Sequence, residues 1–239
     1  MISTTSDIGE LQLRLRGVRE KISEAANRAK RQPDEITLVA VSKTHPAQLV
    51  REALAAGVVD FGENRVQEAE PKITEVGRHA ARWHLIGHLQ SNKARRAVVL
   101  FDVIHSLDSV ELARRLDRLC AEEGREELPV LIQVDLGHEA TKTGADETEV
   151  LSIAKAVTDG EHLRLAGLMT LPPFFDEAER ARPFFRKLRE LRDQLASQGV
   201  FGDRAGELSM GMTHDYQIAI EEGATIVRIG TAIFGERQS

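Results

Sequence analysis

The chain has 239 residues, 41% hydrophobic and 29% charged, which suits one large core. A formal net charge of −6 and a pI near 5.8 argue against a dedicated nucleic-acid surface, and no run approaches the roughly 18 apolar residues of a membrane span. The single cysteine, Cys120, cannot form a disulfide within the chain, and the amino terminus lacks the basic start and apolar run of a signal peptide. Together these features predict a soluble, cytoplasmic protein without a nucleic-acid or membrane partner.

Taken in order, the chain alternates strand and helix signals. Ile8, Leu11, Leu15, Val18, Ile22, Ala25 and Ala29 recur at helical spacing, which predicts a first helix from about residue 7 to 30 capped by Ser6 or Asp7. Ile36-Thr37-Leu38-Val39-Ala40-Val41 reads as a strand buried on both faces, ending on Ser42 and Lys43. Pro46 opens the next helix and Gly57 ends it. Val58-Val59-Asp60-Phe61 is a second strand, with Gly62-Glu63-Asn64 at its end and a helix through Val66, Ala69 and Ile73. Trp83-His84-Leu85-Ile86 and Val103-Ile104-His105 are the third and fourth strands. Asp108 with Glu111 then has the spacing of a capping box, ahead of a helix whose apolar side carries Leu112, Leu116, Leu119 and Cys120.

The second half repeats the pattern. Val130-Leu131-Ile132-Gln133-Val134-Asp135 is the fifth strand, followed by a helix bearing Val150, Leu151, Ile153, Ala154 and Val157. Leu163-Arg164-Leu165-Ala166-Gly167-Leu168 is the sixth, and Asp176 opens a charged helix in which Pro183 forces a late start or a kink. Glu207-Leu208-Ser209 is a brief seventh strand before a helix from Thr213 to Glu222, and Thr225-Ile226-Val227-Arg228-Ile229-Gly230 is the eighth. Eight strand–helix units predict an α/β fold: a single (β/α)8 TIM barrel over residues 1–239, with an extra helix at its start. The alternative, an open doubly wound sheet, lacks its G-x-G-x-x-G after the first strand.

In such barrels the chemistry gathers at the carboxyl ends of the strands. Lys43, Asn64, His84, Asp135, Met169, Ser209 and Arg228 fall at or near those ends. A lysine closing a buried strand is desolvated, which lowers its pKa and frees a nucleophilic amine for imine formation with a carbonyl compound; its alternative is a snorkelling surface lysine. Ser209-Met210-Gly211-Met212-Thr213 and Gly230-Thr231-Ala232 follow strands seven and eight, where barrels commonly bind phosphate, with Thr213 as the expected helix cap. A ligand carrying both an aldehyde and a phosphate satisfies both halves.

Five segments carry a resemblance. They are Val39-Ala40-Val41-Ser42-Lys43-Thr44, Phe61-Gly62-Glu63-Asn64, Trp83 through Lys93, Leu208-Ser209-Met210-Gly211-Met212, and Val227 through Gly235. In that order they resemble the YggS family of pyridoxal-phosphate-binding homeostasis proteins, whose fold-type III barrel is similar to the amino-terminal domain of alanine racemase. The resemblance spans about residues 8 to 237. It implies pyridoxal 5'-phosphate as cofactor, held as a Schiff base on Lys43, with Arg228 near the pyridine nitrogen. By the same resemblance Thr213, Gly230 and Thr231 hold the phosphate, and Asn64, His84, Ser209 and Met210 line the site. It further implies a carrier in cofactor homeostasis rather than an enzyme, serving apo forms of cofactor-dependent enzymes, and a monomer or weak homodimer. Departures are Arg65 where many members carry tyrosine, Thr213 for a serine, and the loop from Asp135 to Lys142.

The remaining constellations are weaker. His84 and His88 lack a suitably spaced acidic partner for zinc, and Lys93, Arg95 and Arg96 read as a solvated face. The competing function is a single-domain amino-acid racemase. That reaction needs a second acid/base opposite the lysine, and the only tyrosine, Tyr216, falls in a helix where packing is its expected duty. Lys142, in the loop after the fifth strand, is a candidate second amine for releasing the cofactor, against the alternative of an ordinary exposed lysine.

Overall fold

Each apolar run becomes a strand, and each helical stripe packs outside it. In the computed structural model, which describes residues 4–137 and 143–236, the chain opens with α1 (Thr4–Arg28) and then alternates. The order is β1 (Thr37–Val41), α2 (Ala47–Ala55), β2 (Asp60–Glu63), α3 (Val66–Val76), β3 (Arg82–Leu85), α4 (Ala94–Leu100), β4 (Val103–Leu107) and α5 (Val110–Glu122). There follow β5 (Leu128–Val134), α6 (Val150–Thr158), β6 (Leu163–Thr170), α7 (Arg182–Ser197), β7 (Glu207–Ser209), α8 (Tyr216–Glu221), β8 (Ile226–Ile229) and α9 (Thr231–Phe234). The strands are parallel and pair in sequence order, and β8 closes on β1 with Thr37 opposite Ile226 and Ala40 opposite Ile229. The fold is the expected α/β barrel. α1 lies across α8, α9 and α2, burying Leu11, Leu15, Val18 and Ile22, and Arg31 ties its end to the carbonyls of Ile220 and Ala224.

The strand pleat sorts side chains into two cores. Outward residues such as Phe61, Trp83 and Leu85 pack beneath the helices, with the Phe61 and Trp83 rings 5.7 Å apart. Inward residues Val39, Val103, Leu131, Met169 and Ile226 form a smaller apolar plug in the barrel lumen. Cys120 is sealed in the outer core, where burial pushes its thiol up to about 11.

Several boundaries differ from the sequence reading, each for a local reason. α1 begins at Thr4, so Ser6 and Asp7 lie inside it rather than capping it. β2 starts at Asp60 because Val58 is still bound to the end of α2, its N–H donating to the Ala53 carbonyl. Ser109, not Asp108, caps α5: its Oγ accepts from the Leu112 N–H, while Asp108 turns toward His88 at 3.3 Å. Pro183 gives the late start, since a 3₁₀ turn at Ala178–Ala181 precedes α7 and the proline sits in its first turn. α8 begins at Tyr216 with Asp215 at its cap position, so Thr213 lies in the preceding turn instead of capping the helix.

Two glycines in different surroundings test this packing. A Cβ at Gly167 would lie 2.0 Å from the Glu207 carbonyl oxygen, forcing β6 away from β7, whereas nothing lies within 4 Å of the corresponding point at Gly17 in α1. Gly167→Ala should therefore cost about 2–3 kcal/mol in urea unfolding. Gly17→Ala should stabilise by about 0.5–1 kcal/mol through helix propensity alone.

Candidate functional site

The turn after β1 carries Lys43, and its support is polar and buried. Ser42 donates its N–H to Gly62 O at 3.1 Å and its hydroxyl to Glu63 Oε1 at 2.6 Å. Lys72 reaches up from α3, its Nζ 2.5 Å from Glu63 Oε1 and 2.6 Å from the Ser42 carbonyl. Glu63 is fully buried, and desolvation raises its carboxyl against the pull of Lys72. So anchored, the chain adopts a left-handed conformation at Thr44, φ +66°, which a β-branched residue tolerates only when its surroundings impose it. β1 itself ends at Val41, so Lys43 sits two residues past the strand rather than on its end and is half-buried. Its desolvation is thus only partial, a correction to the sequence reading.

Above this turn the carboxyl ends of the strands surround a cavity of about 510 Å³. Lys43, Asn64, Thr213, Arg228, Gly230 and Thr231 all line it. Arg228 rises from β8 and is only 3% exposed; it donates to Ser209 Oγ at 2.5 Å and to the Thr170 carbonyl at 2.8 Å. Burial lowers its pKa to about 10, which leaves it charged at neutral pH. Among the described residues no carboxylate forms an ion pair with it, so this buried cation retains donor capacity toward the cavity.

Beside it, Gly230 precedes α9, whose first N–H groups have no partner within the helix. The Gly211 carbonyl accepts from the Arg228 N–H, which brings the loop after β7 alongside. Gly211 is left-handed, φ +90°, and a Cβ there would lie 2.6 Å from the Ala219 Cβ, so this tight approach requires glycine.

Three candidates fall elsewhere. Ser209 lies under Arg228, one layer below the cavity wall, and is fully buried. Met210 follows it with the opposite orientation and packs into the outer core, so its side chain does not line the cavity. His84 faces inward as expected, but it is two residues below Ile86, the residue of that segment that reaches the cavity. At about 3.3 Å rise per residue this puts it one layer deeper. There it borders a different cavity of about 440 Å³ at the amino ends of the strands, together with Arg82 and Arg164. Met169 likewise belongs to the lumen plug. Lys142 lies outside the described residues.

Sequence reasoning missed the apolar wall formed by Leu171, Pro172, Pro173, Phe174 and Phe175 directly after β6. Its signal was available: two prolines and two phenylalanines following a strand end have little reason to be a solvated loop. It also missed His105, a fully buried polar side chain in the middle of the barrel. Arg95 pairs with Glu122 and Glu123 and Arg96 with Glu70, which makes that cluster an ion-paired surface. Among the described residues no three potential metal ligands converge, and no helix is long and apolar enough to cross a membrane.

Comparison with known proteins adds to this geometry. The family model of the alanine racemase N-terminal domain matches residues 13–238. The pyridoxal phosphate homeostasis protein of Escherichia coli K12 is 44% identical over 226 residues, covering 92% of this chain and 94% of that one. The chain belongs to this family. Another member, the pyridoxal phosphate homeostasis protein of Aquifex aeolicus, is 41% identical over 94% of this chain and 97% of its own. The structure of PipY from Synechococcus elongatus with PLP bound superposes with a TM-score of 0.78 at 41% identity, covering 90% of this chain and all of that one. The five sequence segments thus indicated the correct family.

The buried histidines give the barrel a pH signature. Desolvation holds His84 below its usual 6.5 despite the adjacent Asp60, and holds His105 well below it with further opposition from His84 and Arg228. At these two positions the native protein therefore binds fewer protons than the unfolded chain once the pH drops below about 6.5. The stability this represents is present above that pH and is lost as the pH falls, at up to about 1.4 kcal/mol per pH unit for each histidine. Urea midpoints measured from pH 7.5 down to 5.0 should fall accordingly, and His105→Leu should flatten the slope.

Proposed function

We propose that this chain binds pyridoxal phosphate covalently through Lys43 and holds it without turnover, as a carrier in cofactor homeostasis. One observation supports this above the rest: an amine, a buried guanidinium without a direct ion pair and a turn rich in N–H and hydroxyl groups share the walls of one cavity. The cofactor supplies an aldehyde that condenses with an amine, a pyridine nitrogen and a phosphate dianion. Lys43 provides the amine. Arg228, a donor only, matches an unprotonated ring nitrogen. Thr213, Gly230 and Thr231 offer hydroxyl and backbone donors to the phosphate, and Asn64 borders the same space. Ser209 acts through Arg228.

The racemase alternative needs a second proton carrier facing the lysine. Tyr216 is 4% exposed within the outer core and does not line the cavity, and burial raises its hydroxyl pKa. His214 does line the wall, but its Nε2 lies 3.1 Å from the Asp176 carbonyl and its ring packs on Phe174. Both placements favour binding over turnover. The relatives' names point the same way, and the apo forms of enzymes that use this cofactor are the fitting partners. A cytoplasmic monomer or weak homodimer accords with this role.

Borohydride reduction of the loaded protein followed by peptide mass mapping should place the adduct on Lys43, and an adduct found only elsewhere would refute the assignment. Titration with D- and L-alanine should produce no racemised product. Arg228→Ala and Thr213→Ala should each weaken cofactor retention by about ten- to a hundredfold, the usual effect of losing one charge-assisted or hydroxyl contact, as read by dialysis and absorbance.

A further inference from the structure

Five side chains from five strands form an unbroken line of hydrogen bonds through the lumen. Arg228 on β8 donates to Ser209 Oγ on β7 at 2.5 Å, and Ser209 Oγ lies 2.9 Å from His105 Nδ1 on β4. His105 Nε2 is 2.8 Å from His84 Nδ1 on β3, and His84 Nε2 is 2.9 Å from Asp60 Oδ1 on β2. Ser209 and His105 are fully buried, and His84 and Arg228 are 1% and 3% exposed. Nothing in the site already described uses the two histidines.

The chemistry of the groups permits one direction of donation. A guanidinium has donors only, so Ser209 Oγ accepts from it, and the serine's own hydrogen is left for His105 Nδ1. A neutral His105 then carries its proton on Nε2 and donates it to His84 Nδ1. His84 in turn carries its proton on Nε2, facing the Asp60 carboxylate. Every donor meets an acceptor. Reversing the order would aim a lone pair of His84 at the carboxylate and leave the Ser209 hydrogen without an acceptor, two mismatches in a dry lumen.

We infer that His105 is a positioning residue for Arg228: it turns the Ser209 hydroxyl so that its oxygen faces the guanidinium, and His84 with Asp60 holds His105 in the Nε2–H tautomer this requires. The inference rests on the placement of Arg228 at the cofactor ring proposed above. It fits a buried arginine whose direct hydrogen bonds go to two neutral oxygens, those of Ser209 and Thr170, while the Asp215 carboxylate acts on it only through its charge. A carboxylate bound directly would occupy the donors that the ring nitrogen needs. At the far end of the line Asp60, 3.8 Å from Arg82, anchors the tautomer of His84 and does not touch Arg228.

The tautomers are readable in the protein without cofactor. Long-range nitrogen–proton NMR correlations on the nitrogen-15-labelled chain at neutral pH, assigned by loss of signal in His84 and His105 variants, should show both imidazoles neutral and protonated at Nε2. A proton on Nδ1 of His105, or a charged ring there, would overturn the inference, and this readout needs no variant to retain cofactor. With cofactor bound, His105→Leu should speed its dissociation about tenfold, the effect of one misdirected charge-assisted bond, and shift its absorbance maximum. His105→Asn, whose carboxamide can accept from Ser209 and donate to His84, should restore most of both. Ser209→Ala should match His105→Leu, and combining the two should add little. A folded His105→Leu protein with wild-type dissociation and absorbance would also overturn it. The borohydride adduct on Lys43 should persist in every variant; its absence from the wild-type protein would instead defeat the proposed function.

Discussion

Closing eight parallel strands on themselves sends every second side chain into one narrow space, and depth along the strand then decides what each can do. Two residues up or down a strand is one layer. Ile86 reaches the mouth while His84 lies beneath it; Arg228 borders the cavity while Ile226, two residues earlier, belongs to the apolar plug. The same constraint explains how a polar network survives in the lumen. Its members come from five strands that closure has brought within hydrogen-bonding distance, with almost no water-exposed surface to compete.

The mouth is held from two sides by unlike means. On the β1 side a buried Glu63–Lys72 pair, with Ser42, secures the turn that bears Lys43. Such a pair gains little net stability after desolvation, but its directional bonds define one conformation for the turn. On the β7–β8 side the loops are held by backbone contacts and by a glycine that no other residue could replace without moving α8. The third side is apolar, from Leu171 to Phe175, and contributes shape.

Much of this was legible in the sequence. Strands buried on both faces announce themselves as continuous apolar runs, so the eight units and their order followed from periodicity alone. Lys43, Asn64, Arg228, Gly230 and Thr231 follow strands or end them, and a barrel brings strand ends together whatever the intervening helices do. Depth was not legible, because it depends on where each strand enters the barrel and how neighbours are staggered. That is why His84 and Met169 were placed too high. Orientation failed at Met210 for the simplest reason: its neighbour Ser209 had already taken the inward position. The cap at Asp108 shifted because Ser109 also had the side chain to compete for it, and the one at Thr213 because the helix starts later, after a turn in which Asp215 accepts from the Met212 N–H. His105 gave no cue, since one histidine in an apolar strand reveals its partners only when distant strands are brought alongside.

Cys120 offers a practical consequence. The chain's single thiol is sealed among core side chains and held far from its thiolate form, so it presents neither the access nor the charge that oxidants and alkylating reagents require. Its silence toward such reagents has the same origin as the close packing of the outer core. Any cysteine placed at the rim of the mouth would therefore be the sole reactive thiol, and a thiol-directed fluorophore attached there would report cavity occupancy without a background to subtract.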